Sequence, residues 1–338
     1  MRALPLLSLL IGSCMTVPAL AANSSPEASE WLNKLAQAEQ KQSYQGSFVY
    51  ERNGSFSSHD IWHRVDDGKV SERLLQLDGA AQEIVRVDGK VECVSGALAS
   101  GVTAPPDTAP RVLDPLKLMG WYDLSVAGKS RVAGRDAVII TLTPRDQHRY
   151  AFELHLDRHS GLPLRSLMLN DKGQLLERFQ MTRLDTDEIP SDADLRPGAA
   201  CKPVQHVAAG SNDAVAGWRS DWLPPGFELV NSSVRRDPKH NSSVSSLMYD
   251  DGLARFSVFI EQVSDDGGTD MRTQLGPTSA VSRRLNTPKG KVMVTVVGEI
   301  PLVRQNASPC RCAPRMPRRA SNGALLRAEP RQVGIRLK

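Results

Sequence analysis

Gly46-Ser47-Phe48-Val49-Tyr50 and then Asp60-Ile61-Trp62-His63-Arg64-Val65-Asp66-Asp67-Gly68 form the stretch that decides the fold. Apolar and polar residues alternate with a period of two, as in a strand with one wet face, and the run ends on an Asp-Gly pair, which supplies the positive φ angles of a tight hairpin. Downstream, Val85 and Val87, then Val91 and Cys93, keep the same alternation, and Asp78-Gly79 and Asp88-Gly89 punctuate it. Turn signals every ten to eleven residues predict an antiparallel meander.

Upstream, Ser25-Pro26-Glu27 is a helix start signal, and Ala28 to Gln42 places Trp31, Leu32, Leu35 and Ala38 on one helical face. After a Pro-rich loop from Ser100 to Pro115 and a short apolar turn, strands are predicted over Ala137 to Thr143, Tyr150 to Asp157, Leu162 to Leu169 and Leu175 to Leu184. About eight strands and one helix predict a strongly curved sheet, a partly open barrel wrapping the helix with a concave apolar face. A second set of strands follows Asp221-Trp222-Leu223-Pro224-Pro225-Gly226-Phe227, over Val244 to Tyr249, Ala254 to Glu261 and Val292 to Glu299. The fold class is α+β, mostly antiparallel β: a large half-open barrel-like sheet with a helix over 22–190, a linker over 191–217 rich in Asp, Pro, Gly and Ala, and a smaller β-rich domain over 218–301. A module that small buries a modest core and is expected to lean on the larger domain.

The 338 residues carry 42 Lys+Arg against 38 Asp+Glu. Eight Arg, one Lys and one Glu fall in 302–338, a net +8 that leaves the remainder at −4. A nucleic-acid protein spreads basic charge over its folded face, so nucleic-acid binding is disfavoured. The tail lacks amphipathic period and strand alternation, and reads as disordered or as an out-of-frame end. It breaks off abruptly from the strong strand signal of Val292 to Glu299.

The N-terminus reads as an export signal: Arg2, an apolar run from Ala3 to Gly12, and the small-x-small site Ala19-Leu20-Ala21, with cleavage near Ala21. Ile11-Gly12-Ser13-Cys14 is a rival lipid-attachment site, but Ile is unusual at its first position and a good cleavage site lies downstream. Export allows Cys93 and Cys201 to bridge in an oxidising compartment. Cys310-Arg311-Cys312 is too closely spaced for the usual zinc pairs and no His follows it.

No Gly-x-Ser-x-Gly elbow, Walker loop, dinucleotide glycine fingerprint or His-Glu-x-x-His occurs. His59 and His63, like His155 and His159, sit four apart on predicted strands or turns, where that spacing separates them by about 13 Å, and read as surface or half-buried residues. Asp250-Asp251 and similar pairs read as turn residues. No catalytic residue, metal or cofactor is implied. Phe48, Trp62, Trp121 and Phe152 are the candidates to line an apolar ligand cavity, against the plainer reading of core packing. Arg219, Trp222, Arg235, Arg236 and Lys239, with His240 beside them, are the candidate partner surface, against the plainer reading of a solvated face.

Tyr44 to Arg52, Asp60 to Val65 with Asp67-Gly68, Gly161-Leu162-Pro163-Leu164-Arg165, Asp221 to Phe227, and Asp251-Gly252-Leu253-Ala254-Arg255-Phe256-Ser257-Val258-Phe259 together resemble the MucB/RseB family over about Ser29 to Pro301. The resemblance implies a periplasmic negative regulator of an envelope-stress sigma factor, with a large domain like the half-open barrel of lipoprotein carriers. Such a protein binds the periplasmic segment of a single-pass membrane anti-sigma factor, shields it from a site-specific protease, and is relieved by a lipid-like signal such as lipopolysaccharide. A lipid or lipoprotein carrier is the rival reading, and homo-oligomerisation is left open. The resemblance also implies an ordered helical finish after Pro301, where this chain has its Arg-rich tail, so the apolar residues of Val292 to Glu299 are expected to be left uncovered and partner binding to be weakened.

Overall fold

The computed structural model describes residues 25–80, 82–96, 113–204, 218–220, 222–237, 242–263, 269–287, 290–302 and 312–314. The export signal, residues 205–217 of the linker, Lys239, His240 and most of the tail lie outside them, as do the side chains of Arg219 and Arg236.

Helix α1 (Pro26–Lys41) starts on Pro26, whose fixed φ suits the first helical position, and buries Ala28, Leu32, Leu35 and Ala38 along one face. Trp31 stands at the margin of that face, half-buried, with the Lys34 ammonium over its ring. Five strands follow, β1 (Tyr44–Arg52), β2 (Ser55–Asp66), β3 (Lys69–Gln76), β4 (Glu83–Val87) and β5 (Lys90–Val94). The short α2 (Pro115–Leu118) is capped by the Asp114 carboxylate, which accepts from the Leu116 and Lys117 amides. Six more strands complete the sheet: β6 (Tyr122–Val132), β7 (Arg135–Pro144), β8 (Ala151–Asp157), β9 (Pro163–Leu169), β10 (Leu175–Asp185) and β11 (Lys202–Pro203).

The order is β11-β5-β4-β3-β2-β1-β10-β9-β8-β7-β6, so β1 pairs with both β2 and β10 and the two meanders join at its middle. The sheet curls around α1. Leu32 and Leu35 pack with Leu124, Ile140, Leu142, Leu154 and Leu156, and Ala38 packs with Phe48, Leu162, Leu164 and Met181. Asp67-Gly68 and Asp88-Gly89 turn with positive φ at both residues, as their sequence predicts; at Asp78-Gly79 only the glycine does so. There Asp78 instead accepts the Ser58 amide with its carboxylate, inside a longer connection.

The sheet has eleven strands where the sequence predicts about eight. β6 escapes notice because its apolar start, Tyr122 and Leu124, gives way to a bulge at Gly128 and a wet second half. The predicted linker is also shorter than expected, since residues 190–204 strap the outer face of β2 to β5. Arg64 binds the Pro190 carbonyl and Asp192, Arg73 binds the Asp194 carbonyl, and Glu83 accepts the Gly198 amide. The strap ends in a Cys93–Cys201 disulfide, Cα–Cα 5.6 Å, and in the β11–β5 pairing.

The smaller sheet contains β13 (Glu228–Asp237), β14 (Ser242–Asp250), β15 (Arg255–Gln262), β16 (Met271–Leu275), β17 (Thr278–Thr287) and β18 (Gly290–Gly298), in the order β13-β14-β15-β18-β17-β16. Only β14, β15 and β18 were expected. The others lie at or beside the edges, where exposure removes the need for apolar alternation; all five residues of β16 are exposed. Strand β18 is not left uncovered: Val292, Val294 and Val296 are buried with Phe227, Leu247, Phe256 and Val258. A separate two-stranded pair joins β12 (Trp218–Ser220) to β19 (Cys312–Pro314), so this piece of the tail forms a strand rather than being disordered.

Candidate functional site

The two domains meet around one arginine. Arg149 lies in the connection between β7 and β8, its side chain fully buried. Its Nε donates to Asp251 Oδ2 at 2.6 Å, an Nη2 hydrogen goes to the Pro225 carbonyl at 2.5 Å, and Nη1 binds Asp146 of its own connection. Aromatic rings surround the guanidinium, with Phe227 at 4.7 Å and Trp121 at 5.5 Å. Asp251, also fully buried, accepts the Leu253 and Ala254 amides with its other oxygen, so the turn role read from sequence holds for that oxygen while the first serves the ion pair. Its neighbour Asp250 pairs with Arg255. Gly226 has φ +87° and presses on Trp121, where a Cβ would stand 2.1 Å from the indole nitrogen, so only glycine fits.

Further contacts flank this centre. Arg52 reaches Glu299 at 3.0 Å and Thr278 Oγ1 at 2.5 Å, and Lys117 reaches Glu228 at 2.9 Å. The Tyr150 hydroxyl donates to the Ile300 carbonyl and accepts from Gln274. Burial, reinforced by Glu299 and Asp171, pushes that phenol up to about 12, so it stays a donor. Burial holds the His148 imidazole below its ordinary value, partly countered by Asp146, and its ring meets Trp222 edge-on at 5.4 Å. Beside Arg149 a cleft of about 790 Å³ opens between the domains, lined by Arg145, Gln147, Tyr150 and Lys172 on one side and Gln274 and Leu302 on the other.

The four cavity candidates divide. Phe48 and Phe152 point inward: Phe48 stacks on His59 and meets Phe179 at a tilt, and Phe152 packs with the Leu142 and Leu154 cluster. Because α1 fills that concavity, a ligand on the inner face must compete with the helix. Trp62 faces the other way. It stands in a row with Arg73, Val85 and Cys93 across β2 to β5, on the face the strap covers, with Arg73 4.9 Å over its ring. A shift of an odd number of residues from His59 puts it there, since side chains alternate. Trp121 belongs to the junction as well as to the core. Of the partner candidates, Trp222 is half-buried at the junction and Arg235 is exposed on β13. Arg149 itself was missed, although both motifs that embrace it were conspicuous.

Of the four histidines, His59 is half-buried and His159 exposed as expected, but two are more deeply placed. His63 is buried between Glu72 and the Glu39 carbonyl, and His155 between Ser130 and Glu153. Among the described residues no cluster of His, Cys, Asp and Glu could hold a metal, and no helix is long and apolar enough to cross a membrane. A second, shallow cavity of about 500 Å³ is rimmed by Trp31, Arg135, Arg158 and His159.

A curved eleven-stranded sheet around a helix, joined through a dry ion pair to a smaller six-stranded sheet, defines a two-domain β protein built around an inter-domain surface. Its two halves match the models of the MucB/RseB N-terminal domain over residues 27–199 and the MucB/RseB C-terminal domain over residues 212–307, and the chain belongs to the MucB/RseB family. The sigma factor AlgU regulatory protein MucB of Pseudomonas aeruginosa is 58% identical over 297 residues, 88% of this chain and 93% of that protein. The solved complex of P. aeruginosa MucA and MucB superposes with a TM-score of 0.74 at 58% identity, covering 82% of this chain and 94% of that one. A crystal structure of MucB at 56% identity has the same coverage, 82% and 94%, and a TM-score of 0.62.

Proposed function

We propose that this chain is a periplasmic binding regulator. It holds the periplasmic part of a single-pass membrane anti-sigma factor, shields it from regulated proteolysis, and releases it when an acylated ligand such as lipopolysaccharide binds. The observation that supports this most is the 58% identity to MucB across both domains, together with the solved complex of MucB with MucA. The chain acts by binding and catalyses no reaction, is exported by its first 21 residues, and takes no cofactor. Trp222, Arg235, Arg219, Arg236 and Lys239 contribute to the partner surface, and Phe48, Phe152 and Trp121 to the apolar side that senses the lipid. Each acyl CH₂ buried there contributes about 0.8 kcal/mol, so one chain is enough for useful affinity if α1 yields.

The test is calorimetric titration of the mature chain with the purified periplasmic domain of a MucA-type anti-sigma factor, followed by protease challenge and addition of lipopolysaccharide. Saturable binding, protection of the domain, and loss of protection with lipid are expected. A folded chain that does not bind the domain refutes the reading. Recovery of lipidated proteins that are then handed to a membrane supports the carrier instead.

A further inference from the structure

Three segments far apart in sequence, around Arg149, Pro225 and Asp251, meet at one guanidinium. The contacts that cross the junction are unequal. Lys117–Glu228 is wet, with side chains 31% and 70% exposed, and such pairs contribute little. Arg52–Glu299 is partly exposed, at 28% and 36%. Arg149–Asp251 is at 0% on both sides, so separating it leaves two charges away from water unless the whole junction opens. The geometry is directional too. One planar side chain reaches two different loops of the smaller domain through two donors and is anchored to its own domain by a third. A small rotation of one domain breaks both cross-domain bonds together.

We infer that Arg149 is a latch that fixes the angle between the two domains, with Asp251 and the Pro225 carbonyl as its catch. Because the pair is either made or broken, the junction has two discrete arrangements and no smooth range between them. The latch also sets the cleft. The connection that carries Arg149 forms one wall of the 790 Å³ cavity, and Gln274 and Leu302 of the smaller domain form the other, so the cavity exists at this width only while the latch is closed. The hydroxyl of Tyr122, wholly buried next to the guanidinium, has no hydrogen-bond partner. The two solved MucB structures fit this chain unequally over the same share of its length.

The wet Lys117–Glu228 pair supplies a reporter, since its 2.9 Å contact is within reach of a zero-length carbodiimide cross-link that joins the two domains. The full chain, Arg149→Met, Asp251→Asn and the double variant Arg149→Met with Asp251→Asn are cross-linked, and the Lys117–Glu228 product is quantified by mass spectrometry. Small-angle scattering gives the radius of gyration of each. The latch predicts a fall in cross-link yield of about tenfold or more in every variant, equivalent to about 1.4 kcal/mol in the closing equilibrium, with a larger radius of gyration. The double variant removes both buried charges and keeps an oxygen at position 251 for the Leu253 and Ala254 amides, so the smaller domain stays folded even where Arg149→Met does not. If the double variant cross-links and scatters like the parent chain, packing alone holds the angle and the inference fails.

Discussion

Replacing Cys93 and Cys201 by alanine removes the disulfide that ties the end of the strap to β5. The two cysteines are 108 residues apart. Closing a loop of that length restricts the unfolded chain by about 16 cal/mol/K, or about 4.8 kcal/mol at 25 °C, in the chain-entropy treatment. That figure is a ceiling, because the strap keeps its other bonds: Glu83 still accepts Gly198, Arg73 still reaches Asp194, and β11 still pairs with β5. Residual contacts in the unfolded chain lower it further, to an expected loss of about 3–4 kcal/mol from a large domain that begins with roughly 5–15. For a domain of this size each kcal/mol moves the melting temperature by about 2–4 °C, so a fall of roughly 6–16 °C is expected. The assay is urea and thermal unfolding of the parent chain and the double alanine variant, after mass spectrometry of the non-reduced parent has shown the two cysteines 2 Da short of their thiol mass, the two hydrogens a disulfide lacks. A loss below about 1 kcal/mol refutes the reasoning, since loop closure is then not what the bridge contributes.

Other outcomes follow from burial and charge. Burial holds the imidazoles of His59, His148 and His155 below the ordinary 6.5, so between that value and their folded values the unfolded chain binds more protons. Stability is whole above about pH 6.5 and falls as the pH drops; urea midpoints at pH 7.5 and 6 check this, and an unchanged or higher midpoint at pH 6 contradicts it. At lower pH, burial raises the Asp157 carboxyl, but hydrogen bonds from Arg135 and Ser160 outweigh it and hold the group below 3.8, so its contribution is lost as pH falls through that region. Glu177, raised by burial, acts in the opposite direction. Leu156→Ala, at a fully buried core position, is expected to cost about 2–5 kcal/mol, whereas Leu116→Ala, 77% exposed, is expected to stay within about 0.5; equal effects contradict the core assignment. Gly226→Ala puts a methyl into the Trp121 ring at a positive φ, and a blue or red shift of tryptophan emission with lowered thermal stability is expected; an unshifted spectrum and melt refute the contact.

Much of the architecture was legible in the chain. The two-residue alternation, the Asp-Gly turns and the apolar face of α1 are local properties, determined by φ preferences and by which side of an element meets water, and they survive into the structure at Asp67-Gly68, Asp88-Gly89, Leu32 and Leu35. Where a strand lies at an edge or opens a bulge, that signal fades, and β6, β13, β16 and β17 went unread because their neighbours and not their own patterning make them strands. The motifs at Asp221 to Phe227 and Asp251 to Phe259 carried the family resemblance as letters, but their shared purpose did not show.

Sequence alone therefore determined the class of fold and the two sheets, which rest on spacing along the chain, and the candidate cysteines, which rest on the export reading and the cysteine count. Tertiary structure decided that Trp62 faces away from Phe48, that the start of the linker is a strap, and that Arg149 meets both Asp251 and Pro225. Separations of 102 and 76 residues lie between that arginine and its two partners. No local pattern records such a pairing, because a buried charge is tolerated only when the fold brings its counter-charge and its carbonyl to the same dry point, and that condition exists only in three dimensions.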